Sequence, residues 1–174
     1  MRIVTYNFLH GGSMNRCGHW SRLVRTFSPD LILAQECRTP LDSPGEQFRQ
    51  SNDDFLQWQA AGTRRWGSAL YVRAAQMRCL AISDFDGWIV GGEIRNERWS
   101  DRAIRIFSIH GPVGEHGYIR TMQQILDRLA SQRHDADLIL GGDFNIVVGR
   151  RPRSIIDDFE HCSSRHSGTV DAYP

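Results

Sequence analysis

Lysine is absent from this chain of 174 residues, so all of its 21 basic residues are arginines. Arginine has a planar group suited to phosphate and carboxylate, but a complete lack of lysine can equally reflect the base composition of the source genome. The 20 acidic residues leave a formal net charge of only +1, which excludes a polycation that binds nucleic acid along its whole surface. Any contact with a polyanion must therefore come from a local cluster of arginines.

Membrane segments, secretion signals and paired cysteines are also missing. The sequence has no apolar run long enough to span a bilayer and no charged leader followed by an apolar core, and we therefore predict a cytoplasmic protein. Its four cysteines are widely spaced, which argues against a zinc knuckle or a redox motif and is typical of reduced thiols. Because 40% of the residues are hydrophobic, residues 1–174 can build one domain with a substantial core.

The hydrophobic pattern of the first two thirds alternates between strands and a helix. Residues 2–8 and 31–34 have the composition of strands. Between them, apolar residues at helical spacing from Trp20 to Phe27 predict a helix that ends before Pro29. The weak, polar pattern of residues 38–59 predicts a loop with room for one short helix. An antiparallel meander is then predicted from β-branched and aromatic runs over residues 66–72, 77–83, 87–94 and 103–109.

The last third begins with a predicted helix over residues 118–132, where apolar residues recur at helical spacing. A buried strand from Asp137 follows and ends in Gly141 and Gly142, which remove side-chain bulk where a ligand or a second backbone must come close. A final short helix is predicted over residues 155–161. Since strands and helices are mixed and hairpins lie in the middle, the sequence predicts an α/β sandwich of stacked sheets covered by helices.

Polar residues follow the apolar strands at the point where each strand ends. Asn7 ends the first strand, Glu36 the second, His110 a later one, and Asp143 with Asn145 the last. Residues i and i+2 of an extended chain share a face, so the last two leave their strand on the same side. Each residue alone could equally cap a turn or lie in a solvated loop. If the strand ends meet at one edge, they form a cleft with two carboxylates, two carboxamides and one imidazole.

Such a cleft suits metal-assisted phosphate chemistry. Glu36 can supply oxygen to a Mg²⁺-like ion, which usually takes one or two protein carboxylates and keeps several waters. Asp143 can orient or deprotonate a water, and His110 can donate to a phosphoryl oxygen as charge develops there.

Five short motifs occur in order along the chain: Thr5-Tyr6-Asn7, Gln35-Glu36-Cys37-Arg38, Trp66-Gly67-Ser68-Ala69-Leu70, Ser108-Ile109-His110 and Gly141-Gly142-Asp143-Phe144-Asn145. Together they resemble the endonuclease/exonuclease/phosphatase superfamily, the metal-dependent phosphoesterases with a DNase I-like fold. The resemblance implies a four-layer αββα sandwich of two mostly antiparallel sheets with the site at one rim. It also implies hydrolysis of phosphoester bonds in nucleic acids, phosphoinositides, sphingomyelin or nucleotide derivatives.

The same resemblance implies a role for each strand-end residue. Glu36 would be the main ligand of Mg²⁺ or Mn²⁺, with support from Asn7. Asp143 would align the attacking water, and Asn145 would hold Asp143 or the phosphate. His110 would bind the phosphoryl oxygens.

Two further residues are implied as substrate contacts. Arg38 resembles a phosphate-contacting arginine of some nuclease members, and Tyr118 begins the helix that follows His110. Three arginines after the last strand could grip additional phosphates or could equally lie in a solvated loop whose charge is offset by nearby acids; they are Arg150, Arg151 and Arg153. Four tryptophans could stack bases or pack in the core; they are Trp58, Trp66, Trp88 and Trp99.

The chain departs from the family pattern near its C-terminus. Members typically carry a late Asp-His pair whose imidazole is central to catalysis, and no such pair follows Asp143. Three explanations are open: a fragment of a longer protein, a domain completed by a partner chain or by strand exchange, and a degenerate domain that binds phosphate or a partner without cleaving it. The ending on Ala172-Tyr173-Pro174 favours the fragment. We therefore expect a domain that lacks its last strands and leaves a sheet edge open.

Overall fold

The computed structural model describes residues 1–11, 18–39, 48, 50–114, 117–133 and 135–146. Within these ranges the chain forms two four-stranded sheets and two α-helices. The elements in order are β1 (Ile3–Asn7), α1 (His19–Phe27), β2 (Leu31–Cys37), β3 (Phe55–Ala60), β4 (Gly67–Val72), β5 (Met77–Leu80), β6 (Ile89–Ile94), β7 (Ala103–His110), α2 (Gly117–Ala130) and β8 (Ala136–Asp143). The predicted helix over residues 155–161 and the arginines at 150, 151 and 153 lie outside the described residues.

The strand order is β1-β2-β4-β3 in the first sheet and β5-β6-β7-β8 in the second. Two pairings are parallel, β1 with β2 and β7 with β8, and the other four are antiparallel. Parallel neighbours need a crossover connection, and the two helices supply it, α1 between β1 and β2 and α2 between β7 and β8. Each parallel pair therefore ends at a single edge of its sheet.

Side-chain alternation along the central strands divides the core into layers. In β2, Leu31 and Leu33 pack against the second sheet, whereas Ile32 and Ala34 pack under α1. β7 alternates in the same way, with one face toward the first sheet and the other under α2. The order of layers is α1, first sheet, second sheet and α2, which is the predicted αββα sandwich. No helix among the described residues is long and apolar enough to cross a membrane.

Two predictions about the middle of the chain are wrong. β3 lies where a loop was predicted, because its alternation of Leu56 and Trp58 with Gln57 and Gln59 is short and becomes a strand only through pairing with β4. β4 itself was predicted in the antiparallel meander but belongs to the first sheet, between β2 and β3. The meander therefore consists of β5, β6 and β7. Sequence neighbours suggested the wrong partner because pairing is decided by which apolar faces pack together.

A buried carboxylate on β6 is held by two arginines. Glu93 accepts hydrogen bonds from Arg105 Nε at 2.9 Å and from Arg78 at 3.1 Å. The hydrogen bond from Arg105, helped by that from Arg78, holds the pKa of Glu93 below its usual 4.5 even though burial raises it. A carboxylate whose pKa is lowered by folding stabilises the fold above the pKa of the unfolded chain, and this contribution is lost as the pH falls through the folded pKa.

We therefore expect Glu93→Gln to lower the free energy of unfolding by on the order of 1 kcal/mol at pH 7, since hydrogen bonds to charged groups are lost. The difference from the wild type should shrink as the pH falls below about 4.5. Urea unfolding at a series of pH values measures it, with the exposed Glu97→Gln as the matched control. A difference that stays constant down to pH 3 would contradict the expectation.

Candidate active site

Four of the predicted site residues meet where the two parallel strand pairs end. The Asn7 amide donates to Glu36 Oε1 at 3.1 Å and to Asp143 Oδ2 at 2.8 Å. His110 Nε2 lies 3.3 Å from Glu36 Oε1. Asn7 and Glu36 come from the first sheet, and His110 and Asp143 are register partners in the second. The rim of the sandwich is therefore one polar cluster that spans both sheets.

A β-bulge in β2 sets the direction of the Glu36 side chain. The pairing of β2 with β4 shifts between Ala34↔Ala69 and Cys37↔Gly67, which leaves one extra residue on β2. Glu36 has a φ of 49°, in the left-handed region, which costs a non-glycine residue about 1–2 kcal/mol. Bulges next to active sites re-aim side chains, and such strain concentrates at functional positions. Glu36 is 7% exposed, and its carboxylate contacts Asn7 of the first sheet and His110 of the second.

Asp143 is held from the loop that follows β8. The Asn145 backbone N–H donates to Asp143 Oδ1 at 3.0 Å, and the Gly111 N–H donates to the Asp143 carbonyl at 2.7 Å. The Asn145 side chain donates to the Gly111 carbonyl at 3.0 Å. Asn145 therefore contacts Asp143 through its backbone, and its predicted role toward Asp143 or the phosphate stays a prediction. Its carboxamide ties two loops together.

The glycine pair before Asp143 allows β8 to approach its neighbours. A Cβ on Gly142, which has a φ of 147°, would lie 1.9 Å from the carbonyl oxygen of Ile109 on β7. A Cβ on Gly141 would lie 2.4 Å from a methyl carbon of Leu33 in the other sheet. The prediction that these glycines allow a close approach by a second backbone holds for Gly142, and at Gly141 the neighbour is a side chain.

His110 lies in an aromatic pocket. It is 7% exposed, and its ring centroid lies 5.5 Å from that of Trp66 and 5.1 Å from that of Trp88. Burial lowers the pKa of His110 below its usual 6.5, although the Glu36 and Asp143 carboxylates act in the opposite direction. This lowered pKa favours the neutral imidazole at pH 7, which has one N–H to donate and one bare nitrogen. Its buried Nδ1 has no hydrogen-bond partner among the described residues.

The two tryptophans form a wall beside the site. Their rings meet edge to face with centroids 5.7 Å apart. The Arg64 guanidinium lies 4.8 Å from the ring centroid of Trp88 and 5.3 Å from that of Trp66. Their partial burial and their contacts with His110 indicate that they position this imidazole.

His10 is a site residue that the sequence analysis missed. Its backbone N–H donates to Glu36 Oε2 at 2.7 Å, and its side-chain Nδ1 lies 2.8 Å from the same oxygen. The chain reaches this position through three consecutive residues with positive φ: Leu9, His10 and Gly11. A loop residue has no periodic pattern to mark it, so the available signal was only its position three residues after Asn7.

The predicted substrate residue Arg38 lies beside this loop. A Cβ on Gly11 would lie 2.7 Å from Arg38 Nε, so the arginine side chain crosses the glycine. Arg38 lines a cavity of about 210 Å³ together with Thr39, Trp58 and Arg65. Within the described ranges, Arg38 Nε is buried without a hydrogen-bond partner, and no acidic side chain pairs with Arg38 or Arg65.

Tyr118, the other predicted substrate residue, lies on the first turn of α2 with 38% of its surface exposed. The structure does not bring it into hydrogen-bond contact with the site residues of the described chain.

The donor atoms of the rim fit a divalent cation. Glu36, His110 and Asp143 offer ligand atoms that all lie within 4.8 Å of one another. Carboxylate oxygens suit Mg²⁺ and Mn²⁺, and an imidazole nitrogen adds a donor for transition metals. Asn7 Oδ1 accepts the Leu9 N–H at 2.8 Å, which leaves one lone pair of that oxygen for an ion. The Asn7 amide hydrogens hold the two carboxylates together.

Comparison with known proteins shows the family to which this chain belongs. The family model described as Endonuclease/Exonuclease/phosphatase family matches residues 4–166. Among curated proteins, no sequence match was found. Among solved structures, the endonuclease domain of TRAS1, a telomere-specific non-LTR retrotransposon, is similar with a TM-score of 0.67 and 17% identity, over 95% of this chain and 71% of that chain. Because the family match spans most of the sequence and includes every strand-end residue of the rim, the chain belongs to the endonuclease/exonuclease/phosphatase family and has its DNase I-like fold.

Proposed function

We propose that this protein is a metal-dependent phosphoesterase that hydrolyses a phosphodiester or phosphomonoester bond by in-line attack of water. The observation that supports this most directly is the contact between Asn7, Glu36, His110 and Asp143 at one rim of the sandwich. Carboxylates from the two sheets are held side by side by one amide, which is unfavourable unless a donor or a cation compensates their mutual repulsion.

Glu36, with support from Asn7, would hold Mg²⁺ or Mn²⁺. Such an ion stabilises the negative charge that develops on the phosphoryl oxygens and on the leaving oxygen. The orientation of the water and the hydrogen bonds to the phosphoryl group would come from side chains of the protein.

Asp143 is the residue that orients the attacking water in this proposal. Its Oδ1 accepts from the Asn145 N–H and its Oδ2 accepts from Asn7, so both oxygens have fixed directions. A carboxylate held in this way can align a water and accept its proton, because each oxygen has a further lone pair. Neutral His110 would donate its N–H to a phosphoryl oxygen as negative charge develops there.

A nucleic acid is the substrate that the surroundings favour. The cavity with Arg38, Arg65 and Trp58 combines two guanidinium groups with an aromatic face. Guanidinium groups bind phosphate through paired hydrogen bonds, and bases stack on aromatic rings. The similar solved structure is an endonuclease domain, which agrees with this choice. Tyr118 would add a contact farther along the bound nucleic-acid strand.

Hydrolysis of bis-p-nitrophenyl phosphate tests the proposed function. We expect turnover with Mg²⁺ or Mn²⁺, none after chelation by EDTA, and a loss of more than about 100-fold in Glu36→Gln, because metal-assisted charge stabilisation contributes several kcal/mol. The exposed Glu97→Gln is the matched control and should retain full activity.

If this chain shows no turnover with any divalent metal, while circular dichroism and melting show a native fold, the proposed hydrolase activity is overturned. The same result combined with retained phosphate binding would favour the alternative function, a domain that binds phosphate without cleaving it.

A further inference from the structure

Glu36 has an imidazole nitrogen beside each of its two carboxylate oxygens. His110 Nε2 lies 3.3 Å from Oε1, and His10 Nδ1 lies 2.8 Å from Oε2. The His110 position belongs to the motifs in the sequence, whereas His10 belongs to the loop after β1 and to none of those motifs. The contact of His10 with Glu36 Oε2 is therefore one that the sequence motifs do not explain.

The distances fit two donors of one cation. Ligand atoms at about 2.1 Å from an ion lie roughly 3.0 Å apart in octahedral and 3.4 Å apart in tetrahedral geometry. The contact of His10 Nδ1 with Glu36 Oε2, at 2.8 Å, is close to the octahedral value. Small movements of two side chains therefore suffice for an ion to lie between them.

A purely structural role explains His10 poorly. Its side chain is 74% exposed, and an exposed ion pair of this kind contributes only about 0–1 kcal/mol. Leu9 and His10 have positive φ, with values of 52° and 58°, and their backbone N–H groups donate to Asn7 and Glu36, so the conformation of this loop does not depend on the imidazole. The backbone N–H of His10 already satisfies Glu36 Oε2 at 2.7 Å, so the imidazole is not needed to satisfy that oxygen.

His10 has a second ring nitrogen, Nε2, besides the Nδ1 that contacts Glu36. The described residues make no hydrogen bond with Nε2, and the Trp66 ring lies 5.4 Å from the His10 ring centroid. Without a cation, the 2.8 Å contact is a hydrogen bond that Nδ1–H donates to Glu36 Oε2. A bound cation would take the place of this proton, and the proton would then reside on Nε2, as in a histidine that binds a metal through Nδ1.

We propose that His10 is a further metal-binding residue of this site, and that its Nδ1, together with Glu36, shifts the preference of the site from Mg²⁺ toward Zn²⁺ and similar ions. Mg²⁺ demands oxygen ligands, whereas Zn²⁺ accepts imidazole nitrogen and carboxylate oxygen together. The inference rests on the proposed function in one respect, since both require that Glu36 holds the cation.

Isothermal titration with Zn²⁺ and with Mg²⁺ separately, on the whole chain, tests the inference. The decisive variant is His10→Asn, because asparagine tolerates the positive φ and places an amide nitrogen where Nδ1 lies, but supplies no imidazole. We expect its Zn²⁺ affinity to fall by at least about tenfold, since even the loss of a residue that only supports a ligand costs that much. Its Mg²⁺ affinity should change by less than about threefold, because Mg²⁺ is held through oxygen.

Two further variants distinguish a failure of the His10 inference from a failure of the proposed metal dependence. Glu36→Gln should abolish the binding of both ions. If His10→Asn binds Zn²⁺ as tightly as the wild type while Glu36→Gln does not, His10 only supports Glu36 by a hydrogen bond and the inference is overturned. His10→Gly should reproduce the Zn²⁺ loss of His10→Asn, and a loss seen in the glycine variant alone would equally overturn it. If the wild type binds neither ion through Glu36, the metal dependence of the proposed function fails instead.

Discussion

Replacing Asp143 by asparagine is expected to lower kcat/KM for a phosphodiester by about 10²- to 10⁴-fold, the usual contribution of a general base. Asn145 N–H and Asn7 Nδ2 both donate to the Asp143 carboxylate, at 3.0 Å and 2.8 Å. A carboxamide has one oxygen and one NH₂ group, so it must turn an N–H toward one of these donors. The variant therefore loses both the proton acceptor and the fixed direction of the group.

The matched control for this variant lies on the same strand. Asp137 is near the other end of β8, where it accepts from Ser100 Oγ at 2.7 Å and from Arg102 at 3.2 Å. Asp137→Asn should keep its activity within about threefold, because these partly exposed contacts contribute little. Steady-state kinetics at saturating metal measures both variants, and melting curves confirm that they are folded. Equal losses in the two variants would mean that Asp143 acts through strand stability rather than chemistry.

Replacing Gly142 by alanine is expected to lower the free energy of unfolding by about 2 kcal/mol or more, since it combines a positive φ with overpacking. The new Cβ would meet the Ile109 carbonyl oxygen at 1.9 Å, and φ at this position is 147°. A backbone atom of the neighbouring strand cannot swing away as a side chain can, so β7 and β8 would have to separate. Because His110 and Asp143 are paired in that register, activity should fall with stability.

Gly141→Ala supplies the comparison for Gly142→Ala. Its Cβ would meet the end of the Leu33 side chain at 2.4 Å, and a leucine side chain can turn by about 30° from its rotamer at a cost of about 1 kcal/mol. Urea unfolding should therefore rank the two alanine variants, with Gly142→Ala the less stable. If Gly141→Ala is equally destabilised, the limiting contact is the packing between the sheets and not the approach of β8 to β7.

Several features of this fold follow from short segments of sequence. The helical spacing of apolar residues located α1 and α2, and the apolar runs before Glu36 and Asp143 located the strands that carry them. The residues quoted for the family resemblance were enough to predict the αββα sandwich. Each of these signals depends on residues a few positions apart, because a helix or strand has one period along its own length.

The direction of each site side chain could not be predicted from these local sequence patterns. Glu36 is turned to the rim by a bulge, and the bulge exists only because β2 pairs with β4, some thirty residues later in the chain. β3 became a strand for the same reason, by pairing with β4. His10 has no pattern around it and became visible only when its contact with Glu36 was known.

The sequence by itself therefore determined which residue types lie at the strand ends and to which family the motifs are similar. The tertiary structure alone decided that Asn7 bridges the two carboxylates, that Trp66 and Trp88 enclose His110, and that an imidazole contacts each oxygen of Glu36. The physical reason is the range of the interactions: hydrophobic periodicity is local, whereas hydrogen bonds between β1, β2, β7 and β8 form only after two sheets from distant parts of the chain have packed together.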